Sequence, residues 1–202
     1  MIVRVPDIIR PLFGKVIWRK ILPSSKVIYL TVAGGPVPEV TEKVLTILHK
    51  YGCKATFFCV GDNVRKHPDI YRKIIAEGHH TGNHTFHHLK GFKTKTVDYL
   101  KDVDEAANYI QSDLFRPPYG RIKWSQLRKL KKRYQVVYWD VLTYDYNASL
   151  SPEKIFENVR KFARNGSVIV FHDSLKSKKN VLEALPISIE YLKNEGFQFG
   201  VL

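Results

Sequence analysis

Two hydrophobic rhythms take turns along this chain. Short apolar runs at Lys26–Val32, Ala55–Val60, Leu114–Phe115, Gln135–Asp140, Ser167–Phe171 and Phe197–Val201 predict strands. Between them lie stripes at helical spacing. Val40, Val44, Leu45, Ile47 and Leu48 form the first. Pro68 opens a second, with Ile70, Ile74 and Ile75 turned inward and Gly78 ending it. Val97, Leu100, Val103, Ala107 and Ile110 form a third, and Trp124–Lys132 a fourth. Pro152 sits near the start of a fifth, carrying Ile155, Phe156, Val159 and Phe162. A last helical region stops at Gly196. Alternation from end to end predicts an α/β fold with a parallel sheet, open or closed into a barrel. In a barrel, chemistry gathers at the C-terminal ends of the strands. That rule selects Thr31–Pro36, Gly61–Asn63, Asn83–His88, Arg116–Gly120, Asp140–Tyr146 and His172–Asp173.

Residues 1–25 stand outside this alternation. Val5, Ile8, Ile9, Leu12, Phe13, Val16 and Ile17 recur at helical spacing around Arg10, Lys15 and Arg19, interrupted by Pro6, Pro11 and Gly14. We expect an amphipathic extension that packs on the domain formed by residues 26–202. A basic amphipathic segment also suits peripheral membrane contact. No apolar run is long enough for a signal peptide or a membrane span. The expectation is therefore a cytoplasmic or peripheral location.

The length of 202 residues favours a single domain. A formal charge of +14 draws polyanions. The basic residues are spread along the chain, however, and no nucleic-acid-binding motif accompanies them. A solvated basic surface is the simpler reading, and a polyanion-binding protein is the alternative from another class. Cys53 and Cys59 flank and share one predicted strand. Six extended residues span about 20 Å, whereas a disulfide needs Cα atoms within about 7 Å. They read as core thiols.

Three local patterns carry candidate chemistry. His84 and His88, in His84-Thr-Phe-His-His88, would face one way on a helical turn, as two metal-ligating imidazoles must. Arg116-Pro-Pro-Tyr-Gly120 follows a short strand, and its prolines fix the backbone. That presents the Tyr119 N–H toward a developing oxyanion, with Arg116 as charge partner. Val168-Ile-Val-Phe-His172-Asp173 is a buried strand ending in a titratable pair, with His172 a candidate general acid tuned by a nearby carboxylate.

In this order, and with Trp139-Asp140 and Asp145 between the second and third, these patterns resemble the successive motifs of the polysaccharide deacetylases of the NodB-homology type. The resemblance runs from about Val27 to about Leu192. It implies a distorted, incomplete (β/α) barrel of about seven strands. It also implies hydrolysis of acetyl groups from N- or O-acetylated glycans with a divalent metal, zinc foremost. Residue by residue, His84 and His88 match the metal-binding histidines. Arg116 matches the arginine that orients the base, Tyr119 the oxyanion donor, Asp145 the aspartate that tunes the acid, and His172 the general acid. Tyr146 falls where many members place a substrate-pocket tryptophan. Pro117, Tyr119, Trp139 and Tyr146 would contact sugar, and Tyr144 is a further candidate stacking surface.

The opening motif departs from the family. Where the resemblance calls for Thr-Phe-Asp-Asp-Gly-Pro, this chain has Thr31-Val-Ala-Gly-Gly-Pro36. Ala33 stands at the general base and Gly34 at the third metal ligand. Loss of a general base alone removes about 10²- to 10⁴-fold in rate. The expectation is a glycan cleft kept with metal weakly bound or absent and activity strongly impaired. The alternative is an active deacetylase with Asp62, His80 or His87 supplying a substitute ligand. Arg116, without its carboxylate, would hold an anion or reach Asp140.

Overall fold

The computed structural model describes residues 3–202. Its central strand is β1 (Val27–Ala33), buried along its whole length. Because successive side chains alternate across a strand, β1 serves two layers. Ile28, Leu30 and Val32 pack outward into the main core with the helices, while Tyr29 and Ala33 join Phe58, Leu114 and Val137 on the inner side. Each fully buried aliphatic contributes about 1.5–3 kcal/mol, and truncating Leu30 to alanine costs about 2–5 kcal/mol.

The elements then follow as α1 (Pro38–Lys50), β2 (Thr56–Cys59), α2 (Gly61–Lys66), α3 (Pro68–Ala76), β3 (His80–Asn83), α4 (Thr96–Ala107), β4 (Leu114–Phe115), α5 (Trp124–Leu130), β5 (Gln135–Val136), β6 (Val141–Leu142), α6 (Pro152–Phe162), β7 (Val168–His172), α7 (Lys178–Asn194) and β8 (Gln198–Gly200). Local rules set several boundaries. α6 starts where Ser151 accepts the Lys154 N–H at 3.3 Å and Pro152 occupies the first turn. The sheet runs β5-β4-β3-β2-β1-β7-β6, with β8 pairing the first half of β1. Every named strand pair is parallel. The result is the incomplete (β/α) barrel the sequence implied, curled open between β5 and β6.

The chain ahead of β1 crosses that opening. Ile17 takes a hydrogen bond from Tyr138 N–H at 2.8 Å and donates to Val136 at 2.9 Å. Arg19 pairs with Ser167, and Leu142 N–H donates to the Val3 carbonyl at 2.9 Å. Trp18 stacks 4.6 Å from the Tyr138 ring. The guanidinium of Arg10 reaches the buried carboxylate of Asp140 at 2.5 Å, and that of Arg164 reaches it at 2.9 Å. Among the described residues no helix is long and apolar enough to cross a membrane.

Several elements differ from the expectation. The strand predicted at Gln135–Asp140 stops at Val136; Val137 bridges to Ile17, and by Asp140 the backbone bonds Val168 on β7 instead. β3 carries a histidine, a threonine, a glycine and an asparagine and so shows no apolar run. Ile75 and Val97, predicted to face inward, are 50% and 60% exposed. α4 instead buries Tyr99, Asp102, Val103 and Ala106, while Ile110 is buried just beyond its end. Cys53 and Cys59 are buried free thiols.

Candidate active site

The C-terminal ends of the strands surround a cleft of about 860 Å³. His84, His88, Arg116, Pro117, Tyr119, Trp139, Tyr146 and His172 line it together with Ala33 and Gly34. One of the residues singled out in the sequence, Asp145, lies directly behind His172.

The two histidines meet by a route other than a helical turn. Residues 84–88 form a loop in which Thr85 and His88 adopt positive φ, 64° and 56°. Such conformations are uncommon for residues other than glycine and persist only where surroundings enforce them. Asp102, on the core face of α4, supplies that enforcement. Its carboxylate accepts the Phe86 N–H at 2.8 Å and the His87 N–H at 3.0 Å, and pairs with His87 Nδ1 at 2.6 Å. The His84 and His88 rings lie 4.9 Å apart. His84 Nδ1 sits 2.7 Å from the Arg116 carbonyl, so Nδ1 donates and Nε2 is left as the lone-pair nitrogen. Burial pushes both imidazoles down, His84 strongly and His88 to about 4, with His88 adding to the shift of His84 and His172 to that of His88. Both are therefore neutral at pH 7, the state in which imidazole ligates a metal.

Arg116, 1% exposed, directly follows β4. It donates to Thr31 Oγ1 at 2.8 Å and to the Tyr138 carbonyl at 2.9 Å, and lies 4.0 Å over the Phe58 ring. It makes no ion pair with Asp140, which the arginines bridging the barrel opening take up. Burial pushes Arg116 down to about 9, which leaves it protonated at neutral pH. Tyr119, also at positive φ (59°), stacks 4.7 Å from His88 and places its hydroxyl 3.2 Å from His88 Nδ1.

On the far wall, Asp145 clamps His172 twice: one oxygen lies 2.7 Å from Nδ1 and the other accepts the backbone N–H at 2.6 Å. Tyr146 packs edge-on against the His172 ring at 4.9 Å. Trp139 lies against Gly120, where an added Cβ would come within 2.4 Å of its ring. Asp173, the immediate neighbour of His172, faces elsewhere. It holds the turn after β1, accepting the Gly35 N–H and the Thr41 hydroxyl, each at 2.7 Å.

Strand register sets Ala33 beside His172 on β7 and Phe58 on β2. Ala33 and Gly34 thus open onto the same space as Arg116 and the histidines. A divalent metal fits this set only in part. His84 and His88 offer two nitrogens with the right protonation and backing, and a zinc site generally uses three or four protein ligands. Asp62 and His87 line the same cleft, but none of the three candidate substitutes comes close enough to His84 and His88 to share an ion with them. Asp62 is paired with Arg65 at 2.7 Å and Lys66 at 2.5 Å. His80 faces the chain end, 2.7 Å from the Leu202 carbonyl. Among the described residues, the group of three ligand-type side chains close enough to share an ion is His87, Asp102 and Glu105.

Sequence reasoning selected Thr31 without its role of holding Arg116, and missed Asp102. The signal for Asp102 was an acid on the buried stripe of a helix, visible only once the stripe is phased correctly.

Comparison with known proteins agrees with the fold. The polysaccharide deacetylase family profile matches residues 20–139. A peptidoglycan-N-acetylglucosamine deacetylase of Bacillus cereus is 30% identical over 193 residues, 92% of this chain and 90% of the relative. The peptidoglycan-N-acetylmuramic acid deacetylase PdaA of Bacillus subtilis is 35% identical over 87% of this chain and 70% of its own length. The crystal structure of the Bc1960 peptidoglycan N-acetylglucosamine deacetylase superposes with a TM-score of 0.84 at 30% identity, over 93% and 91% of the two chains. A CE4 family pseudoenzyme of Bacillus anthracis shares the fold, with a TM-score of 0.79 at 23% identity over 92% of this chain and 66% of that one. Deacetylases of this kind are metal-dependent, and on the extent of these matches the chain belongs to the polysaccharide deacetylase family.

Proposed function

We propose that this protein binds an N-acetylated glycan of the peptidoglycan type in the strand-end cleft and hydrolyses it poorly. The observation that carries the reading is the pair Ala33-Gly34: Ala33 ends β1 in register with His172, and Gly34 opens the turn that follows. Neither side chain accepts a proton or ligates a metal. Pro117, Tyr119, Trp139 and Tyr146 remain to contact sugar. Tyr119 N–H is the donor for the acetyl oxygen. His172, oriented by Asp145, gives a proton to the leaving amine as the C–N bond breaks. What is absent is a group to take the proton from the attacking water, and a third ligand beside His84 and His88. The base alone is worth about 10²- to 10⁴-fold.

A second reading, an active enzyme with a displaced metal, draws on the His87, Asp102 and Glu105 group beside the cleft. Asp102 already takes three hydrogen bonds there, which argues against it.

The test compares the wild type with the double variant Ala33→Asp/Gly34→Asp on N-acetylglucosamine and peptidoglycan oligomers. We expect the wild type to bind oligomers with little acetate release and the double variant to gain both bound metal and acetate release. A double variant that folds yet stays inert contradicts the proposal, as does a wild type that binds no glycan.

A further inference from the structure

The same two substitutions leave a buried charge without a counter-charge. We propose that the floor of the cleft is an oxyanion site, in which a carboxylate, carried on a glycan or free as a small acid, occupies the space at Arg116 that the two aspartates would have filled. The inference rests on the reading that the cleft persists without its base.

Arg116 is 1% exposed and, among the described residues, has no carboxylate partner; its hydrogen bonds go to Thr31 Oγ1 and to the carbonyls of Val137 and Tyr138, all neutral. A guanidinium has five N–H donors, so two remain. Burying an unpaired charge is among the most expensive arrangements a protein adopts. Thr31 and Ala33 are two apart on one strand and share its inner face. The alanine methyl therefore stands next to the side chain that holds Arg116, and an aspartate there would have met the guanidinium. The cleft wall repeats the imbalance: Lys90, Arg116, Arg121 and Lys176 contribute four positive charges against the single carboxylate of Asp62, which is itself paired with Arg65 and Lys66. Bidentate, charge-assisted pairing makes arginine a selective carboxylate ligand.

The test is titration calorimetry of the full chain at one ionic strength, with neutral N-acetylglucosamine oligomers, N-acetylmuramic acid oligomers, and acetate. Wild type is expected to favour the carboxylate-bearing oligomer by about ten- to a hundredfold, the value of one charge-assisted contact. Ala33→Asp, which fills the site from within, should erase that preference, and Ala33→Asn, of the same size without charge, should keep it. If acetate binds and displaces the acidic oligomer, the site stands and its occupant is the free acid. Acetate binding with no oligomer bound at all keeps the oxyanion site and removes the glycan reading. Equal affinity for acidic and neutral oligomers with no acetate binding overturns the proposal. So does a preference that Ala33→Asp leaves intact, since exposed lysines would then explain it.

Discussion

Asp140 and Arg116 are both buried and charged, one lying in the stretch of chain between β5 and β6 and the other bonded to it, yet their surroundings are opposite. Arg4, Arg10, Arg19 and Arg164 all come within 4 Å of the Asp140 carboxylate, at 3.7, 2.5, 3.6 and 2.9 Å. Ser167 adds a hydrogen bond at 2.7 Å. Arg116 has neutral partners only. The first centre lies at the barrel opening, where the chain ahead of β1 must be tied down, and its charges close on one another. The second lies in the cleft and keeps unspent hydrogen-bonding capacity. Saturated charge marks architecture in this molecule, and unsaturated charge marks the site.

The contrast can be broken from either side. The largest effect is expected at Asp140. Asp140→Asn leaves several guanidiniums around a neutral amide and should lower stability by about 3–5 kcal/mol in urea unfolding. Its pH dependence has a definite sign. Burial raises the Asp140 pKa, but bonds from Arg164, Ser167 and Arg10 outweigh it and hold the carboxyl below its ordinary value. The stabilisation is then present above the unfolded pKa near 3.9 and is lost as pH falls through the lower folded value. Acid unfolding of the variant should be correspondingly shallower.

A carboxylate supplied to the other centre should act in the opposite direction. Ala33→Asp is expected to be more stable than Ala33→Asn by about 1.5–3 kcal/mol at pH 7, through a charge-assisted contact with Arg116. The difference should fade in acid as the new carboxyl protonates, which a pair of urea titrations at pH 7 and pH 3 would show. Gly34→Asp carries a separate penalty. Gly34 sits at φ 107°, and holding a non-glycine residue there costs about 1–3 kcal/mol unless the turn relaxes. The double variant should therefore be less stable than Ala33→Asp alone while gaining metal.

Arg116→Met strands no counter-ion. It leaves the Val137 and Tyr138 carbonyls without their donor, at about 1–3 kcal/mol, and should remove any preference for acidic ligands. The smallest effect belongs to Asp7. Three arginines approach it, but its side chain is 53% exposed, so Asp7→Asn should change stability by less than about 1 kcal/mol.

What the sequence disclosed follows the same division. Local signals were legible: the alternation that gives the barrel, Pro68 and Pro152 at helix starts, and the motif order that brings His84, His88, Arg116 and His172 to one cleft. Relations between distant segments were not. Arg10 and Asp140 lie 130 positions apart, and no periodicity links them. The loop that carries His84 and His88 is held by Asp102 of α4, which accepts the Phe86 and His87 N–H groups, a contact that local spacing does not show. The pairing of Asp145 with His172 was legible through the resemblance alone; the residues themselves did not separate it from the adjacent Asp173, which a strand end sends to the opposite side.

The central claim is that the end of β1 and the turn after it supply neither base nor ligand, so that the two imidazoles hold no tight metal. Zinc content per chain, measured on folded wild-type protein after exhaustive dialysis, tests it directly. The account predicts well under one equivalent for the wild type and about one for Ala33→Asp/Gly34→Asp. A full equivalent retained by the wild type, with acetate released at a family-like rate, would contradict it.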